Sequence, residues 1–403
     1  MKGMKVLHIL YQSLPQISGS SIRSRDILMS QKEVGIDVVA VTAPFQKSIT
    51  SEETLYGIKH YRTSVGGEDR ISDKAKSFGK RALKFWGIFR FYGQLKRIVR
   101  TEKPDVLHAH AMFFCGLPAI WLGRKFNIPV VYEIRSLWML KKQKSKQNLL
   151  RLSLERILYN IEKYVARKAS RVVVISDGLL SELVASGIPE EKIVVIRNAV
   201  NTGLVEQFTA LESKGEQSND RFHVGYIGTL TPHEGIDMLI DAFELFHQDH
   251  PKTKLLIYGN GIEKDSICEQ LEDKQHAIYK GTLNPMEVYK GFEQLDVIVN
   301  PRYKNKLTDS VTPLKPLEAM AYGKIFIGSD VGGIKELVKE GQTGFLFQAG
   351  NKAELVRTLK KVYNLNRSNA EDLRATAKDF VRKQKSWLSN AALYKALYNT
   401  LTR

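Results

Sequence analysis

Twice along this chain, short apolar runs alternate with segments of helical periodicity. No other feature narrows the possible folds as much. In the first half, Lys5–Leu10, Asp37–Thr42, Asp105–Ala109, Ile128–Tyr132, Arg171–Ile175 and Ile193–Ile196 read as strands. Helical spacing runs from Ser21 to Val34, over 153–168 and over 177–186. The pattern restarts with strand runs at Phe222–Tyr226, Lys254–Tyr258, Ala277–Tyr279, Val297–Val299, Ile325–Ile327 and Phe345–Phe347. Helices are predicted there at 235–248, 263–273, 285–293, 316–322, 333–339 and 352–363. Continuously apolar strands alternating with helices predict parallel sheets covered on both faces. Leu211–Asp220 (LESKGEQSND) is polar and aperiodic, so it reads as the linker. The expected domains are 1–200 and 222–384, joined by 201–221, with a cleft between them for substrate. A last helix, Asp379 to Leu401, carries Trp387, Ala391, Tyr394 and Tyr398 at helical spacing and needs a surface already built, so 385–403 is assigned to the first domain.

A length of 403 residues fits two or three domains, and 43% hydrophobic with 26% charged residues excludes a mainly disordered chain. Cys115 and Cys268 show neither metal-ligand spacing nor a disulfide framework and read as thiols in a reducing compartment. The apolar run Val6–Leu10 is too short for a signal sequence. The most apolar window, Met112–Leu122, falls short of the roughly 20 residues that cross a bilayer. A cytoplasmic protein that spans no membrane is expected.

The net charge is +18 and is unevenly placed. Residues 1–200 hold 34 basic and 17 acidic residues, whereas 201–403 hold 27 and 26. An anionic partner is expected for the first half. Lys74–Lys103 carries ten basic residues and one acid, Glu102, interleaved with Phe78, Phe85, Trp86, Phe89, Phe91 and Tyr92. That composition suits peripheral contact with an anionic inner membrane, and Lys141–Lys146 adds a second basic cluster. A solvated basic face over an ordinary core stripe is the plainer alternative. No nucleic-acid module is recognisable.

Candidate site residues gather at predicted strand ends. Gly19-Ser20-Ser21 enters a helix whose free N–H groups suit a phosphate, with Arg23 and Arg25 nearby, although a plain turn explains it equally. His108 and His110 share one face of a strand end. A metal pair is conceivable there, but no third ligand is evident, so no metal is expected. Glu133 and Arg135 end another strand, as acceptor-side groups or as an internal ion pair. In the second half, Gly228-Thr229 and Gly259-Asn260-Gly261 end strands, the latter a weak dinucleotide fingerprint. Arg302 follows a strand end, Lys315 and the helix start at Pro316 suit a diphosphate, and Glu318 suits sugar hydroxyls.

Together these segments resemble glycosyltransferase family 4, the group 1 type with the GT-B fold. The resemblance rests on the opening strand and glycine loop, His108-Ala-His110, Val174-Ile-Ser-Asp-Gly178 and Asn198-Ala-Val-Asn201. It continues through Gly228, Glu234-Gly235, Gly259-Asn-Gly261, Pro313–Ala321, Asp330–Glu336 and Gly341-Gln-Thr-Gly344. Tyr132–Trp138 and the residues around Leu314-Lys-Pro resemble a subgroup found among polysaccharide and exosortase-associated enzymes. The family implies α/β Rossmann-like domains facing across a cleft, with the last helix crossing back to the first domain.

It further implies a retaining, metal-independent hexosyltransferase. A nucleotide diphosphate sugar, UDP- or GDP-linked, would be the co-substrate, with no other cofactor. The acceptor would be a glycan or a lipid-linked molecule. Donor-side residues carried over are Gly228, Thr229, Gly259, Gly261, Gly281, Leu283, Ser310, Thr312, Pro313, Leu314 and Glu318. His110 is implied near the anomeric carbon, and Gly19, Ser20, Arg23, Glu133 and Arg135 on the acceptor side. Three departures stand out. Ser310, beside Asp309, occupies the place of the first glutamate of the E-x7-E element, and Thr229 and Glu234 occupy the places of two typical diphosphate cations. Arg302 and Lys315 are then expected to supply that charge. The departures keep open a non-catalytic sugar-nucleotide binder, and the fold alone keeps open a nucleotide-sugar epimerase.

Overall fold

The computed structural model describes residues 3–16, 18–46, 48–65, 78–110, 112–136, 149–203, 205–206, 222–284 and 287–402. The linker segment 211–220 and the basic cluster 141–146 lie outside these residues. The chain divides into two compact units, Met1–Arg197 with Trp387–Arg403, and Asn198–Ser386.

The first unit is built on an eight-stranded sheet. In chain order its elements are β1 (Lys5–Leu10), α1 (Gly19–Glu33), β2 (Asp37–Thr42), β3 (Glu52–Leu55), β4 (Ile58–Arg62), α2 (Phe78–Glu102), β5 (Val106–His110), α3 (Phe113–Phe126), β6 (Val130–Ile134), α4 (Leu149–Lys168), β7 (Arg171–Val174), α5 (Asp177–Ala185) and β8 (Ile193–Val195). The strand order is β3-β4-β2-β1-β5-β6-β7-β8, parallel except for β3. The β3–β4 hairpin was not foreseen from the sequence, because Glu-Glu-Thr-Leu is short, polar and at the edge. Its turn, Tyr56-Gly57, has both φ angles positive (53° and 68°), as a tight two-residue hairpin demands. Helix α1 starts on a capping box in which Ser18 and Ser21 satisfy each other's backbone N–H.

The second unit carries β9 (Phe222–Thr229), α6 (Ile236–Asp249), β10 (Thr253–Asn260), α7 (Lys264–Leu271), β11 (Ala277–Gly281), α8 (Val288–Glu293), β12 (Val297–Asn300), α9 (Lys306–Ser310), α10 (Lys315–Ala321), β13 (Ile325–Ser329), α11 (Gly332–Lys335), β14 (Phe345–Phe347), α12 (Lys352–Tyr363) and α13 (Arg367–Gln384). Its six parallel strands run β11-β10-β9-β12-β13-β14. Alternate side chains feed two cores. Val224, Leu255, Ile257, Val297 and Ile327 join the core on one face, and Leu256, Tyr258, Ile298 and Phe326 join the core on the other. That two-sided burial is why the strands read as unbroken apolar runs.

The predicted helix from Asp379 to Leu401 is corrected to two. Helix α13 ends at Gln384, and α14 spans Trp387–Leu401. Between them Lys385 accepts from the Val200 N–H and Ser386 bridges Val200 in extended form, which helical geometry does not permit. Helix α14 belongs to the first unit, where it packs on α1.

Candidate active site

In an open parallel sheet, ligands gather beyond the strand carboxyl ends, at the point where the strand order reverses. In the second unit that point lies between β9 and β12. Thr229 ends β9, and Asn300 ends β12. Gly259 and Gly281 stand at the same edge on β10 and β11, followed by Gly261 and Leu283. Gly259 has φ of +147°, and a Cβ there would collide with the Gly228 carbonyl, so only glycine lets β10 pass so close to β9.

The charged centre of this edge is a buried cluster that the sequence did not reveal. Glu234 Oε1 accepts from Arg302 Nη2 at 2.8 Å, and its Oε2 accepts from Lys315 Nζ at 2.8 Å. The Asn300 Nδ2 group stands 3.4 Å from Oε2. Burial alone would raise the Glu234 carboxyl; the Lys315 and Arg302 charges overcome it and hold the group far below the usual carboxylate range. Burial also lowers Lys315, opposed by Glu234. Arg302 and Lys315 are thus brought together as expected, but onto Glu234.

The loop from Ser310 to Leu314 is fixed from two sides. Asn198 Nδ2 donates to the Thr312 carbonyl at 2.7 Å, and Asp309 Oδ1 accepts from the Gly332 N–H at 2.9 Å. That bond engages Asp309 Oδ1 with the backbone. A Cβ on Gly332 or Gly333 would meet the carbonyls of Asp309 and Val311, so close packing accounts for this glycine pair. Pro316 sits one position inside α10, and Glu318 follows in its first turn, half-buried.

The corresponding reversal in the first unit lies between β1 and β5. His8 on β1 pairs in register with His108 on β5. Among the described residues, His8, His108 and His110 form the one group of three whose ligand atoms lie within 4.8 Å of one another. Their hydrogen bonds assign every ring proton. Arg135 Nη2 lies 2.6 Å from His110 Nδ1 and must donate. His110 Nε2 then donates to His8 Nδ1 at 2.8 Å, and His8 Nε2 donates to Gln31 Oε1 at 3.0 Å. Gln31 Nε2 donates to the Tyr398 hydroxyl at 3.0 Å, which donates to His108 Nδ1 at 2.6 Å. His108 Nε2 is left facing Glu133 Oε2 at 3.4 Å. Glu133 closes the ring by accepting Arg135 Nε at 2.8 Å. Burial lowers all three histidines, so they are neutral as this scheme requires. A dication would have to displace these bonds beside the Arg135 guanidinium, and the donor set fits the hydrogen-bonded ring better.

The acceptor-side residues turn inward. Arg23 meets Glu133 Oε1 at 3.2 Å, and its guanidinium lies 4.6 Å over the Trp387 ring. Arg135 Nη1 donates to the Ser20 carbonyl at 2.9 Å. Arg25 pairs with Asp26 at 2.7 Å. The Glu133–Arg135 pair is therefore the internal ion pair. His110 is 1% exposed with both ring nitrogens engaged, which places it inside the unit. Gly19 opens α1 with nothing near a would-be Cβ. His8 was missed because it reads as one polar residue in a buried strand, and Tyr394 and Tyr398 read only as a helix face.

On α2, Phe89 is 62% exposed and stacks on Trp121 at 6.1 Å. Arg90, Arg97 and Arg100 are exposed further along the same helix, and Lys96 is lowered by Lys125 and then Arg100. The side chains of 78–86, with Phe78, Phe85 and Trp86, lie outside the description. Among the described residues no helix is long and apolar enough to cross a membrane.

Two such sheets, each with a buried polar cluster at the reversal of its strand order, define a two-domain Rossmann-like protein of the GT-B kind. The sequence model of group 1 glycosyl transferases matches residues 207–383, and that of glycosyltransferase family 4 matches residues 17–204. The chain belongs to this glycosyltransferase family. It is 26% identical over 271 residues to a glycogen synthase of Mycobacterium tuberculosis, covering 65% of this chain and 61% of that protein. The sucrose-phosphate synthase of Thermosynechococcus elongatus shares the fold, with a TM-score of 0.78 at 18% identity over 99% of both chains. The Anabaena protein HepE, solved with UDP and glucose, superposes with a TM-score of 0.71 at 16% identity over 99% of this chain and 100% of its own.

Proposed function

We propose that this protein transfers a sugar, with retention and without a metal or other cofactor, from a UDP- or GDP-linked donor to a glycan or lipid-linked acceptor. A role in surface polysaccharide synthesis, in the cytoplasm at the inner face of the membrane, follows from that acceptor. The observation that carries the reading is the pair of cations, Lys315 and Arg302, at the strand reversal of the second unit. As the C–O bond to the donor breaks, negative charge grows on the leaving diphosphate, and a fixed cation there stabilises it. Residues Gly228, Thr229, Gly259, Gly261, Gly281 and Leu283 border the same edge, where backbone groups can hold the nucleotide. Glu318 is assigned to the sugar hydroxyls. The UDP and glucose bound by HepE support a nucleotide-sugar donor. The basic, aromatic face of α2 supports an anionic membrane as the acceptor's location.

Thermal shift against UDP, GDP, ADP, CMP and dTDP, without added metal, tests the donor. A ligand at about 100 times its dissociation constant adds about 2.7 kcal/mol to the native state. A shift with one nucleotide, followed by turnover of its sugar in EDTA, is the expected result. Turnover abolished by EDTA overturns the metal-free mechanism.

Ser310 and the pairing of both cations with Glu234 favour one second reading, a binder without turnover. It predicts a nucleotide shift with neither transfer nor hydrolysis of the sugar nucleotide.

A further inference from the structure

We propose that Glu234 is a built-in counter-anion: it holds Lys315 in the unliganded protein and yields it to the donor's diphosphate while keeping Arg302. This rests on the nucleotide-sugar reading and names which of the two cations meets the ligand.

The cluster is one carboxylate between two cations, with 4%, 11% and 15% of the Glu234, Arg302 and Lys315 side chains exposed. Its two contacts are unequal. Arg302 reaches both carboxylate oxygens, Oε1 from Nη2 at 2.8 Å and Oε2 from Nε at 3.4 Å, and its Nη1 reaches the Val311 carbonyl at 3.4 Å. A planar fork held at several points has little to gain by leaving. Lys315 makes a single contact to Glu234 from a flexible four-carbon stem. Its ammonium lies 5.0 Å over the Tyr226 ring, and its stem runs through the space a Cβ at Gly228 would fill. The lysine can therefore leave Glu234 without disturbing the Arg302 fork.

The location supplies the ligand. The cluster stands where β9 and β12 diverge, their pairing ending at Gly225 and Ile298, and strand reversals of this kind are where ligands gather. With Glu234 retained on Arg302, the site offers the diphosphate one cation instead of two. Binding exchanges a carboxylate oxygen for a phosphate oxygen at Lys315, and release reverses the exchange. Glu234 thereby weakens the hold on the departing nucleotide as well as on the donor.

The test is calorimetric binding of UDP, GDP and pyrophosphate to the full chain, with unfolding midpoints measured alongside. Glu234→Gln should bind the preferred nucleotide at least fivefold more tightly than wild type. It should also gain a larger upward midpoint shift from pyrophosphate, even though its unliganded midpoint falls. Lys315→Gln should lose tenfold or more in affinity, with a midpoint that falls less than that of Arg302→Gln, because Arg302 still holds both oxygens of Glu234. Arg302→Gln should lower the midpoint markedly. The Lys315→Gln arm decides the matter if Glu234→Gln does not fold. If Lys315→Gln binds as wild type does, or Glu234→Gln binds no tighter, Glu234 is only structural and the inference falls while the donor reading stands. If the wild type binds none of the three probes, the donor reading itself falls and takes this inference with it.

Discussion

Tyr394, on the last helix, donates its hydroxyl to Glu133 Oε2 at 2.6 Å, across 261 positions of sequence. The bond makes α14 part of the first unit's buried charge cluster, not merely a lid over its apolar surface. Glu133 is fully buried and would be raised by burial; the Arg135 and Arg23 guanidiniums keep it well below the usual carboxylate range. Each donor to it therefore contributes to tolerating a charge inside the protein.

Tyr394→Phe should accordingly destabilise the protein by about 1.5–3 kcal/mol, the range for a buried hydrogen bond to a charged group. The ring's packing is retained, so the loss reports the hydroxyl. Urea unfolding measures it, and a change below about 0.5 kcal/mol would show that Glu133 does not depend on this donor.

The three histidines make stability depend on pH in a definite direction. Burial lowers the folded-state values of His8, His108 and His110 below the ordinary 6.5. Below that pH the unfolded chain takes up protons that the native ring of hydrogen bonds refuses. Stability is thus fully present above pH 6.5 and declines as pH falls toward the folded values, by up to about 1.4 kcal/mol per pH unit for each histidine. Glu133 adds a second loss below about pH 4.5, because its folded value is depressed as well. Urea unfolding at pH 7.5 and 5.5 should show the first loss, and His8→Gln should reduce it. A pH-independent unfolding free energy across that interval would contradict the neutral ring.

What the sequence disclosed, it disclosed through periodicity. The strands of both sheets were legible because burial on both faces writes unbroken apolar runs such as Val297–Val299. The strand ends then located Gly228, His110 and Arg302 at the reversals. What stayed hidden was pairing between distant elements. Nothing along the chain joins His8 to His108 or Tyr398 to Gln31, since each bond depends on which strands and helices become neighbours. Glu234 was read as a departure from a pattern, whereas its meaning lies in Lys315, 81 positions away. The break at Lys385-Ser386 was hidden because apolar spacing continues across it, and only the extended pairing with Val200 interrupts the helix.

The basic face of α2 should bind anionic and not neutral vesicles. Each basic side chain near such a surface contributes about 1 kcal/mol, so replacing Arg90, Arg97 and Arg100 together by Gln should weaken binding about a hundredfold. Those three are exposed, and their loss should leave the unfolding midpoint nearly unchanged. Flotation with vesicles of stated charge measures this. Equal recovery with neutral and anionic lipid would remove the membrane from the account.

Gly228→Ala separates site geometry from fold. Unlike Gly259, whose added Cβ would strike backbone, Gly228 is crowded by the flexible end of Lys315 and by the Tyr226 hydroxyl. A methyl group there can be accommodated if the lysine moves, so the cost in stability should stay within the 1–3 kcal/mol typical of overpacking. The displaced ammonium can no longer stand at the strand reversal, and nucleotide affinity should fall about tenfold, the equivalent of about 1.4 kcal/mol. Gly259→Ala should instead compromise folding, because a carbonyl on the neighbouring strand cannot step aside. Unfolding midpoints and UDP titration on both variants give the comparison. If Gly228→Ala loses stability as heavily as Gly259→Ala, or keeps full nucleotide affinity, then Lys315 does not serve the ligand from beside Gly228.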